Sequence, residues 1–229
     1  ELKGDIERIH ARSRGRYGVP RVHAELRAAG TACSRRRVAR LMREAGLQGK
    51  VRKRYKATTQ ADPAHPPAED LVRRNFEVTA PNTVWVSDMS YLPTKEGWLY
   101  LAVVLDLHSR LVVGWSMGER LTTDLPLSAL KMALDRRRPP PGLIHHSDRG
   151  SQYTSSAYRG ALEAQGALAS MGKKGDCFDN AVVESFFSTL KRELLLDHVF
   201  HTRQEGRSQV FEYVEMFYNR QRRHSFLGY

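Results

Sequence analysis

Three acidic residues occupy positions where a carboxylate could do chemistry. Asp148 lies in the stretch IHHSDRGSQYTS, at the point where an apolar run turns into a polar loop. Asp88 interrupts the β-forming stretch TVWVSDMSYL, where an unpaired buried carboxylate would be costly. Glu184 lies in the helical stretch NAVVESFFSTLKREL. Taken singly, Asp148 could be a turn residue and Glu184 part of a solvated helix face.

Convergence of these side chains would create a site for divalent cations. Clustered carboxylates repel one another and raise each other's pKa unless cations lie between them. Carboxylate oxygens suit hard ions such as Mg²⁺ or Mn²⁺. Two such ions can activate an attacking oxygen and stabilise the leaving oxygen of a phosphodiester. We therefore expect Asp88, Asp148 and Glu184 to bind two Mg²⁺ or Mn²⁺ ions and to be the catalytic residues.

The predicted elements over 81–229 indicate how these residues could meet. Their order is three antiparallel strands, a helix, a strand, a helix, a strand and a helix. This is the order of the ribonuclease H-like fold, an α/β fold with a mixed sheet flanked by helices, in which two strand aspartates and a helical glutamate can converge. The predicted segments are 83–92, 98–109, 110–117, 123–138, 143–147, 155–165, 167–170 and a helix from about 180.

The helix that carries Glu184 has two different sides. At 100° per residue, Glu184, Ser188 and Lys191 fall on one side, so Lys191 is available to a ligand that binds beside Glu184. The opposite side is apolar and predicts packing against the core. It consists of Val182, Val183, Phe186, Phe187 and Leu190.

Charge is distributed unevenly along the 229 residues. The chain has 37 Lys and Arg against 25 Asp and Glu, a net charge of +12. Residues 1–80 contribute 19 − 9 = +10 of this, and residues 81–229 contribute 18 − 16 = +2. The asymmetry indicates a basic part that binds nucleic acid, joined to a nearly neutral part with another task.

Other sequence features limit the cellular setting. No apolar run approaches the roughly 20 residues of a membrane-spanning helix, and the basic start is not typical of a signal peptide. Two distant cysteines, Cys33 and Cys177, favour a reducing compartment. We expect a cytoplasmic, bacterial, nucleoid-associated protein with no membrane partner. The start at Glu1 and the end in HSFLGY are typical of a piece of a longer polypeptide.

The basic part predicts a helical domain at 1–49 and a linker at 50–80. A helix from about Pro20, a glycine-containing turn and a helix capped by Ser34 match a helix-turn-helix, whose second helix enters the major groove of DNA. A solvated basic face is the alternative for any single arginine. The linker begins with KVRKRYK and becomes rich in proline and alanine. Residues expected to contact double-stranded DNA are Arg35, Arg36, Arg37, Arg40, Arg43, Arg52 and Lys53.

The carboxylate spacing carries a family resemblance. Between Asp148 and Glu184 lie 35 residues (184 − 148 − 1), as in the DD(35)E motif of retroviral integrases and related transposases. The blocks VWVSDMSYL, LDLHSRLVVGW, HSDRGSQYTS, DNAVVESFFSTLK and YNRQRRHSFLGY resemble those of insertion-sequence transposases with an integrase-type core. The stretch YGVPRVHAELRAAG resembles the helix-turn-helix that precedes this core in a second-frame product.

The resemblance implies an activity and roles for particular residues. It implies a DNA transposase in which Asp88, Asp148 and Glu184 hold the metal ions and Lys191 contacts the element's terminal inverted repeats. Metal-dependent nicking would free a 3′-hydroxyl that attacks another phosphodiester. The resemblance further implies a copy-out, paste-in route and a homo-oligomer on DNA. The zinc module of retroviral integrases is missing, so recognition of the ends would depend on the helix-turn-helix. We expect the family's first reading frame to lie outside this chain.

Neighbouring polar residues have weaker claims to the site. By strand alternation His146, not His145, points with Asp148, so we expect His146 to support the site and His145 to be structural. Asp106 is either a fourth metal ligand or, with Ser109 and Arg110, a turn residue.

Two further groups lie near predicted helix ends. Asp179 and Asn180 are predicted to cap the helix of Glu184, with a DNA-side role as the alternative. A terminal helix and tail would pack near the carboxylates, and some of their side chains could contact DNA. These side chains are Tyr218, Asn219, Arg220 and His224.

Two other functions use the same features. A ribonuclease H-like nuclease would cut with the same carboxylates but would not join strands, and would not need an end-specific domain. A DNA-binding regulator without catalytic activity would have no use for Asp88, Asp148 and Glu184 together.

Overall fold

The computed structural model describes residues 1–50, 68–72, 78–172, 181–195 and 199–229. The chain divides into two compact units. One unit comprises residues 1–54 with 192–197 and 223–229, and the other comprises 55–191 with 198–222. No helix among the described residues is both long enough and apolar enough to cross a membrane.

The first unit is built on three short helices, α1 (Leu2–Arg12), α2 (Val19–Ala28) and α3 (Arg35–Glu44). Pro20 lies in the first turn of α2, and the Ser34 hydroxyl caps α3 by accepting from the backbone N–H of Arg37 at 3.2 Å. Each helix contributes one apolar stripe to a shared core, as the periodicity predicts. Its buried side chains are Ile6, Val22, Leu26, Val38 and Met42.

The C-terminal tail belongs to this helical unit. The guanidinium of Arg223 donates to Glu25 at 2.9 Å, and the backbone N–H of Arg223 donates to the hydroxyl of Tyr17 at 3.0 Å. Arg21 in turn donates to the carbonyl of Arg223 at 3.0 Å. Polar contacts between residues far apart in sequence thus hold the tail to α2, and its packing near the carboxylates stays a prediction.

The second unit contains a five-stranded mixed sheet in the order β3-β2-β1-β4-β5. Its first three strands form the predicted antiparallel meander, and β4 and β5 add in parallel beyond β1. This confirms the predicted ribonuclease H-like order of elements. The strands are β1 (Val84–Thr94), β2 (Gly97–Asp106), β3 (Val112–Gly118), β4 (Ile144–Ser147) and β5 (Leu168–Met171).

Helices cover the sheet and fix its edges. On one face Trp85, Ala102 and Val104 pack with Ala129 and Leu130 in a common apolar core. The close approach of a helix to β3 requires Gly114, since a Cβ there would lie 2.1 Å from the carbonyl oxygen of Ala129. The helices are α4 (Asp124–Arg137), α5 (Ser151–Thr154), α6 (Ser156–Ala164), α7 (Ala181–Leu195) and α8 (Arg203–Phe211), with a π-helical segment at Glu212–Tyr218 and a 3-10 turn at Ser225–Leu227.

The π-helical segment and α7 pack together. The rings of Tyr218 and Phe186 meet edge to face with centroids 4.8 Å apart. The side chain of Asn219 accepts from the backbone N–H of Val112 at 3.0 Å and donates to the Val112 carbonyl at 2.9 Å. Asn219 thus completes the ladder of edge strand β3. Its side chain therefore has a structural task, and a DNA contact of the kind that we considered is not tested by these bonds.

Candidate active site

Asp88 lies in the middle of β1, opposite Val103 of β2. The four strand residues before it are all buried. The residue is half-buried, and its Oδ1 accepts from the backbone N–H of Met89 at 2.7 Å. The strand exists because Val84, Trp85 and Val86 are β-formers that pack on both sheet faces. Asp88 is therefore held at a fixed point by the core strand.

The parallel pairing of β1 and β4 brings Asp148 beside Asp88. The strands pair Val84 with Ile144 and Val86 with His146, a constant separation of 60 residues (144 − 84). The same register, continued beyond the last pair, sets Asp148 opposite Asp88. Both carboxylates therefore stand at the edge where β4 gives way to its loop.

A tight turn fixes the carboxylate of Asp148. Its Oδ1 accepts from the backbone N–H of Gly150 at 2.9 Å. A Cβ on Gly150 would lie 3.0 Å from this same oxygen, so a larger residue would crowd the carboxylate. The glycine in the DRGS stretch thus positions Asp148.

The charges of the three predicted ligands act on one another. The pKa of Asp88 is raised to about 8, first by burial of its carboxyl group and then by the negative charge of Asp148. The Met89 N–H opposes this shift, and smaller contributions come from Glu184, which raises the pKa, and Lys191, which lowers it. Burial also raises the pKa of Glu184. Asp88, Asp148 and Glu184 are thus electrostatically linked.

The described residues do not form a closed metal cage. Among them, no group of three His, Cys, Asp or Glu side chains is placed to hold a metal ion. The two aspartates converge, whereas Glu184 lies near the start of α7 with an exposed side chain. The segment 173–180 that leads into α7, with Asp179 and Asn180, lies outside the described residues.

Tyr153 of α5 is a buried neighbour of both aspartates that the sequence patterns do not reveal. Its hydroxyl lies 3.4 Å from the Ser87 hydroxyl, which itself donates to the Val103 carbonyl. Burial raises the pKa of Tyr153 well above its usual value, and the charge of Asp88 raises it further. Tyr153 therefore stays a neutral phenol beneath the carboxylates. One aromatic in a polar stretch, SQYTS, was the only signal.

Lys191 lies near the carboxylates, as the helical spacing predicted. Its Nζ stands 4.9 Å from the ring centroid of Tyr91, and its positive charge lowers the pKa of Asp88. Glu184 and Ser188 are exposed on α7, while Val183, Phe186 and Leu190 are buried. The two predicted sides of this helix are thus confirmed.

The two histidines of β4 are both buried. The Nε2 of His145 lies 3.1 Å from the Tyr158 hydroxyl, and burial lowers the pKa of His145 to about 3, so this histidine is a neutral part of the core. The Nδ1 of His146 lies 2.8 Å from the Ser170 hydroxyl and 3.9 Å from Asp70. Support of Asp148 by His146 stays a prediction.

Asp106 has the structural role that was one of its two alternatives. Its carboxylate accepts from the backbone N–H and hydroxyl of Ser109 and from the backbone N–H of Asn82. The backbone N–H of Arg110 donates to the Asp106 carbonyl. These bonds close the β2–β3 turn and satisfy a fully buried carboxylate.

The predicted DNA-reading helix α3 presents its arginines outward. All five of them are exposed, and Arg40 forms an ion pair with Glu44 at 3.5 Å one turn away. Arg52 and Lys53, expected on DNA phosphate, lie outside the described residues. The exposed arginines are Arg35, Arg36, Arg37, Arg40 and Arg43.

Known families match nearly the whole chain. Residues 78–177 and 165–229 match models of an integrase core domain, and residues 1–55 match an HTH-like domain.

Named relatives are similar over most of their length. A transposase for insertion sequence element IS904 of Lactococcus lactis is 44% identical over 100% of this chain and 90% of that protein. Transposase InsF for insertion sequence IS3A of Escherichia coli is 46% identical over 95% of this chain and 75% of that protein. The uncharacterized 31 kDa protein of insertion element IS600 of Shigella sonnei is 48% identical over 99% of this chain and 84% of that protein.

A solved structure supports the fold. One chain of the simian T-cell lymphotropic virus intasome, in complex with PP2A regulatory subunit B56 gamma, aligns with a TM-score of 0.52 and 16% identity. The alignment covers 93% of this chain and 69% of that one.

The raised pKa of Asp88 predicts an unusual dependence of stability on pH in metal-free protein. Because the folded-state pKa of about 8 exceeds the ordinary Asp pKa of 3.8, ionisation opposes folding, and stability falls as pH rises between these values. Asp88→Asn should therefore match the unaltered protein near pH 4 and be more stable above pH 8, by up to roughly 5 kcal/mol and by less to the extent that solvent screens the partly exposed carboxylate. Chemical unfolding in a chelating buffer at both pH values measures this.

The matched control is Asp135→Asn, which removes an exposed carboxylate from α4. It should change stability little at either pH. Equal stability of Asp88→Asn and the unaltered protein above pH 8 would contradict the burial and repulsion described for Asp88.

Proposed function

We propose that this chain, which belongs to the insertion-sequence transposases with an integrase core domain, nicks DNA at its element's ends and joins the freed 3′-hydroxyl to another phosphodiester. Relatives named as transposases, 44% and 46% identical over nearly all of this chain, support the activity. The observation that carries the proposal is the meeting of Asp88 and Asp148 at neighbouring parallel strands, with the charges of Glu184 and Lys191 acting on Asp88.

The donor set fits a divalent cation. Asp88 and Asp148 offer hard oxygen ligands. Burial and then the negative charge of Asp148 raise the pKa of Asp88, and a cation between the two carboxylates would relieve their repulsion. Asp88, Asp148 and Glu184 would hold Mg²⁺ or Mn²⁺, with two ions expected. The bound ions supply activation of the attacking oxygen and stabilisation of the leaving oxygen.

Both reactions exchange one bond at phosphorus for another. In nicking, a water oxygen attacks phosphorus, the bond to the 3′ oxygen breaks, and that oxygen leaves as a 3′-hydroxyl. In joining, this hydroxyl attacks a second phosphodiester, forms a new phosphodiester bond and releases a different hydroxyl. No covalent bond between protein and DNA is needed, so a nucleophilic side chain is not required.

Lys191 positions the DNA strand in this scheme. Its ammonium lies close enough to Asp88 to lower the pKa of that residue, so a phosphate held by the carboxylates would be within its electrostatic reach. A lysine can neutralise a phosphate but does not hold a metal ion. Lys191 therefore aids binding of the DNA end more than the chemical step.

The helical unit supplies recognition of double-stranded DNA. Exposed arginines cover α3. This helix is the second of the helix-turn-helix formed by α2 and α3, within the HTH-like domain at 1–55. Arginine can contact both phosphates and guanine edges in the major groove. We assign 1–49 to this domain, 50–80 to a basic linker with Arg52 and Lys53 on phosphate, and 81–229 to the catalytic core.

More than one copy of the chain acts in this proposal. Cutting at one DNA site and joining to another engages two DNA segments, which favours a homo-oligomer on DNA, with the reaction taking place at the bacterial nucleoid.

Loss of any one of the three carboxylates should abolish both reactions. Asp88→Asn, Asp148→Asn and Glu184→Gln each remove one ligand charge with a near-isosteric amide. Nicking and joining of the element's end DNA with Mg²⁺ should fall below detection, while affinity for the same duplex in a gel-shift assay stays unchanged. Asp135→Asn is the matched control and should keep both activities.

Three outcomes would contradict these assignments. Near-normal activity of one variant would remove that residue from the site. Nicking without joined products by the unaltered chain would favour the nuclease that only cuts. Binding with neither reaction would favour the regulator without catalytic activity.

The arginines of α3 should govern DNA binding. If the side chain reads a base edge, Arg36→Ala and Arg40→Ala in the full chain should each reduce the binding free energy for end DNA by on the order of 1–3 kcal/mol. Each should also reduce the preference for end DNA over a scrambled duplex. Replacement of a side chain that contacts only phosphate should weaken binding to both duplexes alike and reduce the log–log salt slope of the affinity by about 0.9. Salt titrations of both duplexes distinguish these cases.

The control is Arg8→Ala on α1, whose arginine is exposed and paired with Asp5. It should leave the preference for end DNA intact. If Arg36→Ala and Arg40→Ala also behave like Arg8→Ala, α3 is not the recognition helix.

A further inference from the structure

Two large aromatic side chains are half exposed at the outer end of the β1–β2 hairpin. Tyr91 is 51% exposed and Trp98 is 48% exposed, and their rings meet edge to face with centroids 4.8 Å apart. Trp98 pairs with Pro93 across the hairpin, so both rings lie on the sheet face that carries Trp85 into the core. Adjacent exposed rings are costly in water and indicate a surface that receives a ligand.

The backbone beneath these rings is held in place. The Arg203 side chain donates to the Trp98 carbonyl at 3.2 Å, and the Arg203 N–H donates to Glu96 at 2.8 Å. The Lys95 N–H donates to the Phe200 carbonyl at 2.9 Å, and the Thr94 hydroxyl donates to the Gly97 carbonyl at 2.6 Å. The tip is therefore fixed before any ligand arrives, which lowers the entropy lost on binding.

Lys191 connects the aromatic pair with the carboxylates. Its Nζ lies 4.9 Å from the centroid of the Tyr91 ring, and its charge also acts on Asp88. Tyr91 follows Asp88 by three residues on β1, so the two side chains leave opposite faces of the strand, and Lys191 is the group that acts on both. A cation thus stands between a pair of exposed rings and the point where a phosphate would be cut.

This combination fits a nucleotide better than a protein side chain. A base can stack on an aromatic ring whatever its identity, and an adjacent ammonium can take the phosphate. Bases inside a duplex have their faces covered by their neighbours, so the ring surface can receive only a base that has left the stack. A strand end freed by cutting has a stacking neighbour on one side only, so its terminal base leaves the stack at lower cost than a base inside the duplex.

We propose that Tyr91 and Trp98 form a platform that stacks an unpaired base of the DNA strand held at Asp88 and Asp148. The platform holds the strand end in place while its hydroxyl is positioned, and it reads no particular sequence. The inference rests on the proposed function, because it takes the strand at the carboxylates to be DNA.

The test compares two DNA probes that differ only in their bases. One is a 20-base-pair duplex with a three-nucleotide single-stranded thymidine tail, and the other has the same tail with abasic sites, which keep the phosphates. The unaltered full chain should bind the thymidine tail roughly five- to 100-fold more tightly than the abasic tail. Trp98→Ala and Tyr91→Ala should lose most of this ratio, while Trp98→Phe should keep most of it.

Matched variants separate stacking from other effects. Phe211→Ala removes an aromatic of similar exposure, 49%, from α8 and should keep the ratio. Lys191→Ala should weaken binding of both probes by the same factor, because the substitution removes a phosphate contact that the two probes share. A 2-aminopurine in the tail should lose fluorescence on binding to the unaltered chain, and lose less with Trp98→Ala. Circular dichroism checks that each variant folds.

The outcomes distinguish failure of the platform from failure of the proposed function. If the unaltered chain nicks DNA but binds both tails equally, the platform is refuted and the function stands. If it prefers the base-bearing tail but never nicks DNA, the platform stands and the function fails. If Trp98→Ala keeps the ratio but changes the oligomeric state in sedimentation, the rings are a contact between copies and the platform is refuted.

Discussion

The repulsion between Asp88 and Asp148 is the constraint around which the catalytic unit is arranged. Parallel pairing of β1 with β4 brings the backbones of both residues to neighbouring positions, so the two carboxylates lie close together. Burial of the Asp88 carboxyl group, followed by the negative charge of Asp148, raises the pKa of Asp88 to about 8. A fold that keeps such a conflict in its core sheet gives up stability for a function, and the function proposed above is the binding of a cation.

Much of the surrounding structure holds this pair in place. Gly150 lets its backbone N–H reach Asp148, and the Met89 N–H stabilises Asp88. Neutral Tyr153 is buried close enough to Asp88 and Asp148 for their charges to raise its pKa, after the larger effect of its own burial. On the far edge, Asn219 ties the segment after the π-helix to β3. The two carboxylates are thus positioned by backbone N–H groups beside them, within a sheet whose far edge is held by contacts distant from the site.

Local patterns predicted what depends on neighbours in sequence. Alternation and β-branched residues predicted the strands of Asp88 and Asp148, and the 100° helical step placed Lys191 with Glu184. Contacts between distant segments escaped prediction, because nothing in the sequence near Tyr153 or Asn219 reports the partner that each meets after folding. For the same reason the pairing of Arg223 with Glu25, and of the Tyr91 ring with Trp98, became visible only in the folded chain.

The most direct test of the central claim is to locate a cation at the two aspartates. Crystals of the full chain soaked in Mn²⁺ should show anomalous scattering density within roughly 2.5 Å of a carboxylate oxygen of both Asp88 and Asp148. The signal should vanish in crystals of Asp148→Asn. Anomalous density that touches neither residue, or none at all at millimolar Mn²⁺ and pH 8, would contradict the claim that the pair exists to bind a metal ion.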